Sequence, residues 1–165
     1  MRKAASGALL TGLATAMVFA GTGIASAAVV NSVPSADYQV CGNVYENAGW
    51  VKNAPPPGDA QGVKGAEVTA TLYDSGDAFV LSGSDTTDSD GAYCVEGDET
   101  LVNTVTSGGY VVLEVTSLPA GYTVTSDNPW EPGGLFSSTH VGAVTFLAHK
   151  YSGLDSAYQF HFTVS

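Results

Sequence analysis

Three aspartates that lie close together, Asp85, Asp88 and Asp90, could supply oxygen ligands to a metal ion. Carboxylates are preferred ligands of calcium, which takes about six to eight oxygens at one point. The same stretch ends in Asp90-Gly91, a pair that is also typical of a tight turn between two strands. The sequence therefore predicts either a calcium site or an Asp-Gly turn at this position.

Two tryptophans, Trp50 and Trp130, lie in stretches that are rich in proline and glycine. An aromatic ring exposed on a loop can stack on the face of a sugar ring, so both are candidate ligand-binding residues, with Tyr110 or Tyr122 as support. The alternative is that each indole folds back and covers one end of the domain, as large apolar side chains commonly do.

The three histidines, His140, His149 and His161, match no helical metal motif such as HExxH. His149 and His161 could meet across a final hairpin and form a site with a carboxylate, or they are ordinary strand residues. The sequence contains no G-x-S-x-G elbow, and nothing among its acids singles out a carboxylate pair for glycoside hydrolysis. We therefore expect no catalytic residues, and the protein is predicted not to be an enzyme.

Cys41 and Cys94 are the two cysteines of the chain. Export to an oxidising compartment would favour a disulfide between them, and two free buried thiols are the alternative. Cys41 alternates with Val40 and Gly42, and Cys94 alternates with Tyr93 and Val95, so both sulfurs are expected to point away from the main core. A bridge across 94 − 41 = 53 positions would contribute roughly 4 kcal/mol in loop-closure models.

Residues 1–27 have the pattern of a secretory signal peptide: Arg2 and Lys3, an apolar run, and an A-x-A site ending at Ala27. Cleavage there would leave 165 − 27 = 138 residues, enough for one domain with a sizeable core. Three lysines and sixteen acids would remain, a net charge of 3 − 16 = −13. Such a charge disfavours nucleic acid and anionic lipid as partners. We expect a secreted, extracellular protein with no membrane association after cleavage.

The elements that must position these residues are short strands separated by turns. Val68, Ala70 and Leu72 alternate with polar residues, and no stretch after residue 27 shows sustained helical periodicity. The pattern predicts an all-β fold, a single prealbumin-like or Ig-like sandwich of about seven or eight antiparallel strands over residues 38–165, after a tether at 28–37. The predicted strands include 38–46, 68–73, a strand opening at Phe79, 93–95, a short one at Leu101 and Val102, 110–116, 141–149 and 157–164.

Several short motifs, taken in order, resemble the SdrD B-like and Cna B-type domains of Gram-positive surface adhesins. They are GNVYE at 42–46, GAEVTATLYD at 65–74, TTDSDGAY at 86–93, GYVV at 109–112 and PAGY at 119–122. The resemblance implies a prealbumin-like β-sandwich that serves as a stalk or binding module and not as an enzyme. It also implies an extracellular protein or a cell-wall or matrix polysaccharide as partner.

The chain departs from that family pattern in three places. The loop after the first strand offers few carboxylates besides Glu46 and Asp59, where the family binds calcium. Glu114 resembles the acid that promotes an isopeptide bond, but the first strand has no Lys and the last has no Asn. The stretch LPAG at 118–121 lacks the ending of a sortase signal. We therefore predict a secreted structural or adhesion-type interaction module. The alternatives are a carbohydrate-binding module that uses Trp50 and Trp130, and a small secreted hydrolase.

Overall fold

The computed structural model describes residues 31–46, 57–123 and 140–165, and most of its regular structure is strand. Seven strands form two sheets that pack face to face as a sandwich, which confirms the predicted fold class. In chain order the elements are β1 (Gln39–Glu46), β2 (Glu67–Tyr73), β3 (Phe79–Thr86), β4 (Ala92–Glu96), α1 (Glu99–Thr106), β5 (Tyr110–Ser117), β6 (His140–Gly142), α2 (Ala143–Ala148) and β7 (Phe162–Val164). The strand orders are β4-β1-β7 in one sheet and β3-β2-β5-β6 in the other.

The core lies between the two sheets and follows from the alternation seen in the sequence. β2 buries Val68, Ala70 and Leu72, and β5 buries Val111 and Leu113. Burying a Val or Leu side chain stabilises the fold by about 1.5–3 kcal/mol. A cavity of about 10 Å³ remains between the sheets, and it holds about one water molecule at most.

β1 is the central strand of the three-stranded sheet and has a different relation to each neighbour. It pairs antiparallel with β4, where Cys41 stands opposite Cys94, and parallel with β7, where Val44 stands opposite Phe162. The prediction of antiparallel strands is wrong for the second pair. Parallel neighbours require a long crossover connection, and here almost the whole domain lies between the two strands.

Residues 99–106 form helix α1, so the short strand predicted at Leu101 and Val102 is wrong. Asp98 caps the helix, because its carboxylate accepts a 2.8 Å hydrogen bond from the backbone N–H of Thr100. Leu101 and Val105, four residues apart, are buried on the same face of the helix. A helix of two turns contains only one such apolar pair, which is too few to reveal a helical period in the sequence.

The two closing strands predicted at 141–149 and 157–164 are much shorter than expected. The first ends at Gly142 and continues as α2, which buries Thr145 and Phe146 and exposes Val144 and Leu147. In the second, only Phe162–Val164 is strand. Gln159 adopts a left-handed conformation, with a φ of 72°, and this interrupts the extended chain before β7 begins.

Residues 31–37, predicted as part of a tether, lie against the outer face of the three-stranded sheet. Ser32 and Pro34 are buried there. The backbone N–H of Ser32 donates to Asn43 Oδ1 (2.9 Å), and its hydroxyl donates to the carbonyl oxygen of Tyr93 (3.0 Å). These bonds make the stretch part of the domain. The predicted signal peptide, residues 1–27, lies outside the described residues.

In the described part of the chain, neither helix has the length and apolar character needed to cross a membrane.

Candidate interaction surface on the four-stranded sheet

The outer face of the four-stranded sheet carries the side chains that alternate with the core residues. On β2 these include Thr69, Thr71 and Tyr73, each partly exposed. Residues directly opposite on neighbouring strands share a face of the sheet. The register therefore places Tyr110 of β5 on this outer face, because it pairs with Tyr73.

An aromatic row crosses one end of this face. Tyr73 stands opposite Phe79 of β3 and opposite Tyr110 of β5. The ring centroids of Tyr73 and Tyr110 are 5.4 Å apart, with a 24° angle between the planes. His140 of β6 adds a third ring, 4.8 Å from that of Tyr110. We call Phe79, Tyr73, Tyr110 and His140 the aromatic row.

Phe79 is the one member of the aromatic row whose side chain carries no polar group. Its side chain is 65% exposed, although burial of a phenylalanine would contribute about 1.5–3 kcal/mol. A single exposed apolar residue is ordinary on a protein surface. Here its backbone stands opposite Tyr73, just past an irregularity in the β2–β3 register, and so places an exposed apolar ring beside the other three. Such a local increase in exposed apolar area is the pattern of a contact surface.

The turn between β2 and β3 holds the end of the aromatic row in place. The carboxylate of Asp74 accepts hydrogen bonds from the N–H groups of Gly76 (2.8 Å) and Ala78 (2.9 Å). Asp77, with a φ of 62°, accepts a 2.8 Å hydrogen bond from the hydroxyl of Tyr110. This bond to Asp77 raises the pKa of the Tyr110 hydroxyl. The tyrosine is thereby kept as a neutral donor with a fixed ring position.

Apart from Val112, which stands opposite Thr71, the rest of the outer face is mainly polar and acidic. Hydroxyl pairs bridge adjacent strands, with Thr71 Oγ1 3.3 Å from Ser82 Oγ and Thr69 Oγ1 3.0 Å from Thr116 Oγ1. Glu114 is exposed opposite Thr69. None of β2, β3, β5 and β6 contains a lysine or an arginine. The face therefore combines aromatic rings with hydroxyls and negative charge.

Of the three aspartates predicted as calcium ligands or as a turn, Asp85 and Asp88 accept hydrogen bonds from backbone N–H groups, and Asp90 donates its own backbone N–H to Asp88. Asp85 accepts from the N–H of Cys94 (2.8 Å), so a β3 side chain satisfies the outer edge of β4. Asp88 accepts from the N–H groups of Asp90 (2.9 Å) and Ala92 (3.0 Å), and an Asp-Gly turn results. Across 31–46, 57–123 and 140–165, no three His, Cys, Asp or Glu side chains are grouped to hold a metal ion.

The predicted disulfide between Cys41 and Cys94 is confirmed. The two residues stand directly opposite each other with their Cα atoms 4.1 Å apart. The backbone groups of Cys41 bond to Ala157 and Phe160 on the other side, so this is a non-hydrogen-bonded position of the β1–β4 pair, where side chains are closest. As expected, neither sulfur belongs to the core between the sheets. The bridge indicates an oxidising compartment.

His149 and His161 are close enough to affect each other, but within the described residues no third His, Cys, Asp or Glu is grouped with them to hold a metal ion. His149 Nδ1 lies 2.9 Å from the carbonyl oxygen of Tyr158, and its ring stacks on Phe160 at 5.0 Å. His161 is buried, and its Nδ1 accepts a 3.1 Å hydrogen bond from the N–H of Asn43. Burial, together with the neighbouring His149, lowers the pKa of His161 to about 3. Both imidazoles therefore support the strands around β1.

The remaining predicted binding residues are separated by the structure. Tyr110 lies in the aromatic row, whereas Tyr122 donates a 2.5 Å hydrogen bond to Glu46 and does not join it. Trp50 and Trp130 lie outside the described residues. Glu114 is exposed on β5 and is an ordinary surface acid.

Tyr73 and Phe79 were not predicted as site residues, although the sequence contained a signal for them. Both flank the Asp74–Ala78 turn, so a short hairpin brings them close together, and a register irregularity beside Tyr73 sets them opposite each other. The contribution of His140 could not be predicted, because the pairing of β6 with β5 joins distant parts of the chain.

No protein-family model, curated protein or solved structure matches this chain.

Proposed function

We propose that this protein is a secreted, non-enzymatic structural or adhesion-type interaction module that binds an extracellular protein through the outer face of its four-stranded sheet. The observation that carries the proposal is the aromatic row, with the exposed ring of Phe79 at one end and Tyr73, Tyr110 and His140 in line. Aromatic residues are enriched at protein interfaces because one ring buries a large area at a small entropy cost.

The packing of the rings favours a polypeptide over a sugar. Tyr73 and Tyr110 stack on each other, and Tyr110 also lies against His140. These three rings use their faces against one another and present mainly edges to the partner. Stacking on a sugar requires an open ring face, and Phe79, 65% exposed, offers one. A protein partner can use edges, hydroxyls and the Phe79 ring together.

The charge of this face favours a partner that carries arginine or lysine. Asp77, Glu67 and Glu114 lie on or beside it, and its four strands contain no basic residue apart from His140. An arginine guanidinium can lie against the exposed ring of Phe79 and also pair with a carboxylate. Charge complementarity of this kind mainly speeds association and selects the partner.

Secretion is part of the same proposal. The disulfide between Cys41 and Cys94 supports an oxidising location, and the predicted signal peptide at 1–27 supports export. The resemblance to SdrD B-like and Cna B-type domains supports a stalk or binding role. Those domains also suggest that the partner lies in a cell wall or an extracellular matrix.

Calorimetry with an oligo-arginine peptide tests the proposal at moderate salt. The double substitution Phe79→Ser with Tyr110→Ser should weaken binding several-fold, since a cation–π contact of roughly 0.5–1 kcal/mol at Phe79 is lost together with the edge and hydroxyl contacts of Tyr110. Val144→Ser with Leu147→Ser is the matched control, because these residues are 67% and 57% exposed on α2, outside the four-stranded sheet. Equal weakening in both double variants would contradict the proposal.

A carbohydrate-binding module is the second candidate. Tyr110 lies on a hydroxyl-rich sheet face, and Trp50 and Trp130 are the tryptophans that would carry the stacking. Retention on insoluble chitin or peptidoglycan, lost when both tryptophans are replaced by alanine, would support this candidate. Absence of retention by the unmodified protein would remove it.

A further inference from the structure

We infer that the domain is built to resist tension applied between its two ends, with β1 and β7 as a shear clamp and the Cys41–Cys94 disulfide as a limit on its extension. This function is independent of the proposed binding surface. It follows from the direction of two strands and the position of one covalent bond. Both lie in the three-stranded sheet, on the opposite side of the sandwich from the aromatic row.

The first and last strands are neighbours and run in the same direction. Val40 stands opposite Ala157 in an isolated parallel bridge and, after the interruption at Gln159, β1 pairs in parallel with β7 as far as Glu46 opposite Val164. The chain therefore enters the pair at one end, through Gln39, and leaves it at the other, after Val164. Tension pulls β1 and β7 past each other along their length. All the hydrogen bonds between them are then loaded together, instead of one after another.

The contacts along this pair are suited to shear. The N–H of Cys41 donates to the carbonyl oxygen of Ala157 (2.9 Å), and the N–H of Phe160 donates to the carbonyl oxygen of Cys41 (3.2 Å). Phe160, Phe162 and Val164 are fully or almost fully buried, so sliding also drags apolar side chains out of the core. The hydroxyl of Tyr93 holds the carbonyl oxygen of Phe160 at 2.7 Å and ties the segment to β4.

The disulfide determines which strand must yield. Because Cys41 is bonded to Cys94, β1 cannot slide along β4 when its N-terminal end is pulled. Rupture must therefore occur at β7, and unfolding proceeds from the C-terminal side as far as Cys94. The chain between the two cysteines stays closed as a covalent loop. That loop spans 53 residue steps, which at about 3.5 Å each withholds roughly 180 Å of extension.

Single-molecule pulling of the full chain tests the clamp by comparing two directions of force. In the first, handles are attached at the two chain ends. In the second, the exposed residue Asp59 is replaced by an azide-bearing residue that carries one handle, and the other handle is attached at the C-terminus. Position 59 lies two residues before Gln61, whose carbonyl oxygen accepts from the N–H of Glu46. The second direction therefore peels β7 from β1, beginning at the Glu46–Val164 end.

We expect the end-to-end direction to require a several-fold higher unfolding force than the peeling direction at the same loading rate, since forced unfolding follows the unfolding barrier along the pulled direction. Equal forces in the two directions would overturn the clamp. The comparison uses one folded protein, so its outcome does not depend on whether a variant folds.

Reductant tests whether the Cys41–Cys94 disulfide limits the extension. With the disulfide intact, the end-to-end extension should be roughly 180 Å shorter than after reduction under force. The pair Cys41→Ser with Cys94→Ser should give the long extension at once. An extension that reductant leaves unchanged, and that equals the extension of the double variant, would overturn the role of the bridge.

Discussion

The imidazole of His161 accepts a 3.1 Å hydrogen bond at Nδ1 from the backbone N–H of Asn43. At this position a side chain accepts the hydrogen bond that a backbone carbonyl accepts elsewhere along the pair formed by β1 and β7. The acceptor exists only while Nδ1 carries no proton, and the ring is almost completely buried. The pairing of the first and last strands is therefore linked to pH.

Acid should destabilise the protein through His161. Its pKa is lowered to about 3 in the folded protein, below the value of about 6.5 for an unfolded chain. Between these values the unfolded state binds the extra proton, so stability falls as pH decreases. The loss should be about 1.4 kcal/mol per pH unit, from about pH 6.5 downward. Urea unfolding at a series of pH values measures it.

The variant His161→Gln keeps an acceptor but cannot take up the proton. Its stability should therefore depend less on pH across this window, even if it is less stable throughout. His140→Gln, which removes an exposed imidazole from the outer face, is the matched control variant. An identical slope for His161→Gln and the wild type would contradict the assignment.

Loss of the disulfide should cost about 4 kcal/mol, as expected for a closed loop of this length. The pair Cys41→Ala with Cys94→Ala should unfold at a correspondingly lower urea concentration, and reductant should not change its midpoint. In the native wild type, reductant can reach the bridge from the side of Cys94, which is partly exposed, whereas Cys41 is buried. A double variant with the same urea midpoint as the oxidised wild type would contradict the stabilising role of the bridge.

Gly42 should tolerate no side chain. A Cβ there would lie 1.6 Å from the carbonyl oxygen of Phe160, which belongs to backbone and cannot move away alone. We expect Gly42→Ala to cost more than about 3 kcal/mol, in the range of severe steric overlap in a core. Gly58→Ala is the control, since no neighbouring atom lies within 4 Å of its added Cβ. Thermal melts of the two variants give the comparison, and a similar melting temperature for both would contradict it.

Thr87 should stabilise the folded protein more through the hydrogen bonds of its hydroxyl than through the volume of its side chain. The hydroxyl donates to the carbonyl oxygen of Val63 (2.6 Å) and accepts from the N–H of Ala66 (2.9 Å), and the residue is 2% exposed. Thr87→Val keeps the volume and leaves two buried backbone groups without these partners, which should cost about 1–3 kcal/mol. Thr71→Val, on the outer face, should change stability by less than about 0.5 kcal/mol. Chemical denaturation of both variants measures the difference.

The strands that could be predicted are those with one face buried and the other exposed to solvent. β2 shows this clearly, because Val68, Ala70 and Leu72 alternate with polar residues and the period is visible in the sequence alone. The pairing of Cys41 with Cys94 could be anticipated from parity and alternation. α1 was missed because Leu101 and Val105 are its only fully buried residues, and the cap at Asp98 is a weak signal alone.

The features that could not be predicted depend on contacts between distant parts of the chain. The parallel pairing of β1 with β7 joins residues more than a hundred positions apart, and no local pattern encodes it. The same holds for His140 in the aromatic row and for His161 beside Asn43. The candidate site was therefore only partly anticipated: Tyr110 was named as a supporting residue, but its neighbours come from the topology.

The most direct test of the proposed binding surface is an NMR titration of the isotopically labelled protein with an oligo-arginine peptide, with an oligo-lysine peptide of equal charge as the control. We predict that the largest amide shifts fall at Tyr73, Phe79 and Tyr110, and that arginine binds more tightly, because a guanidinium stacks on aromatic rings better than an ammonium does. Shifts spread over all the acidic surface, or centred on the Asp88–Ala92 turn, would contradict the proposal.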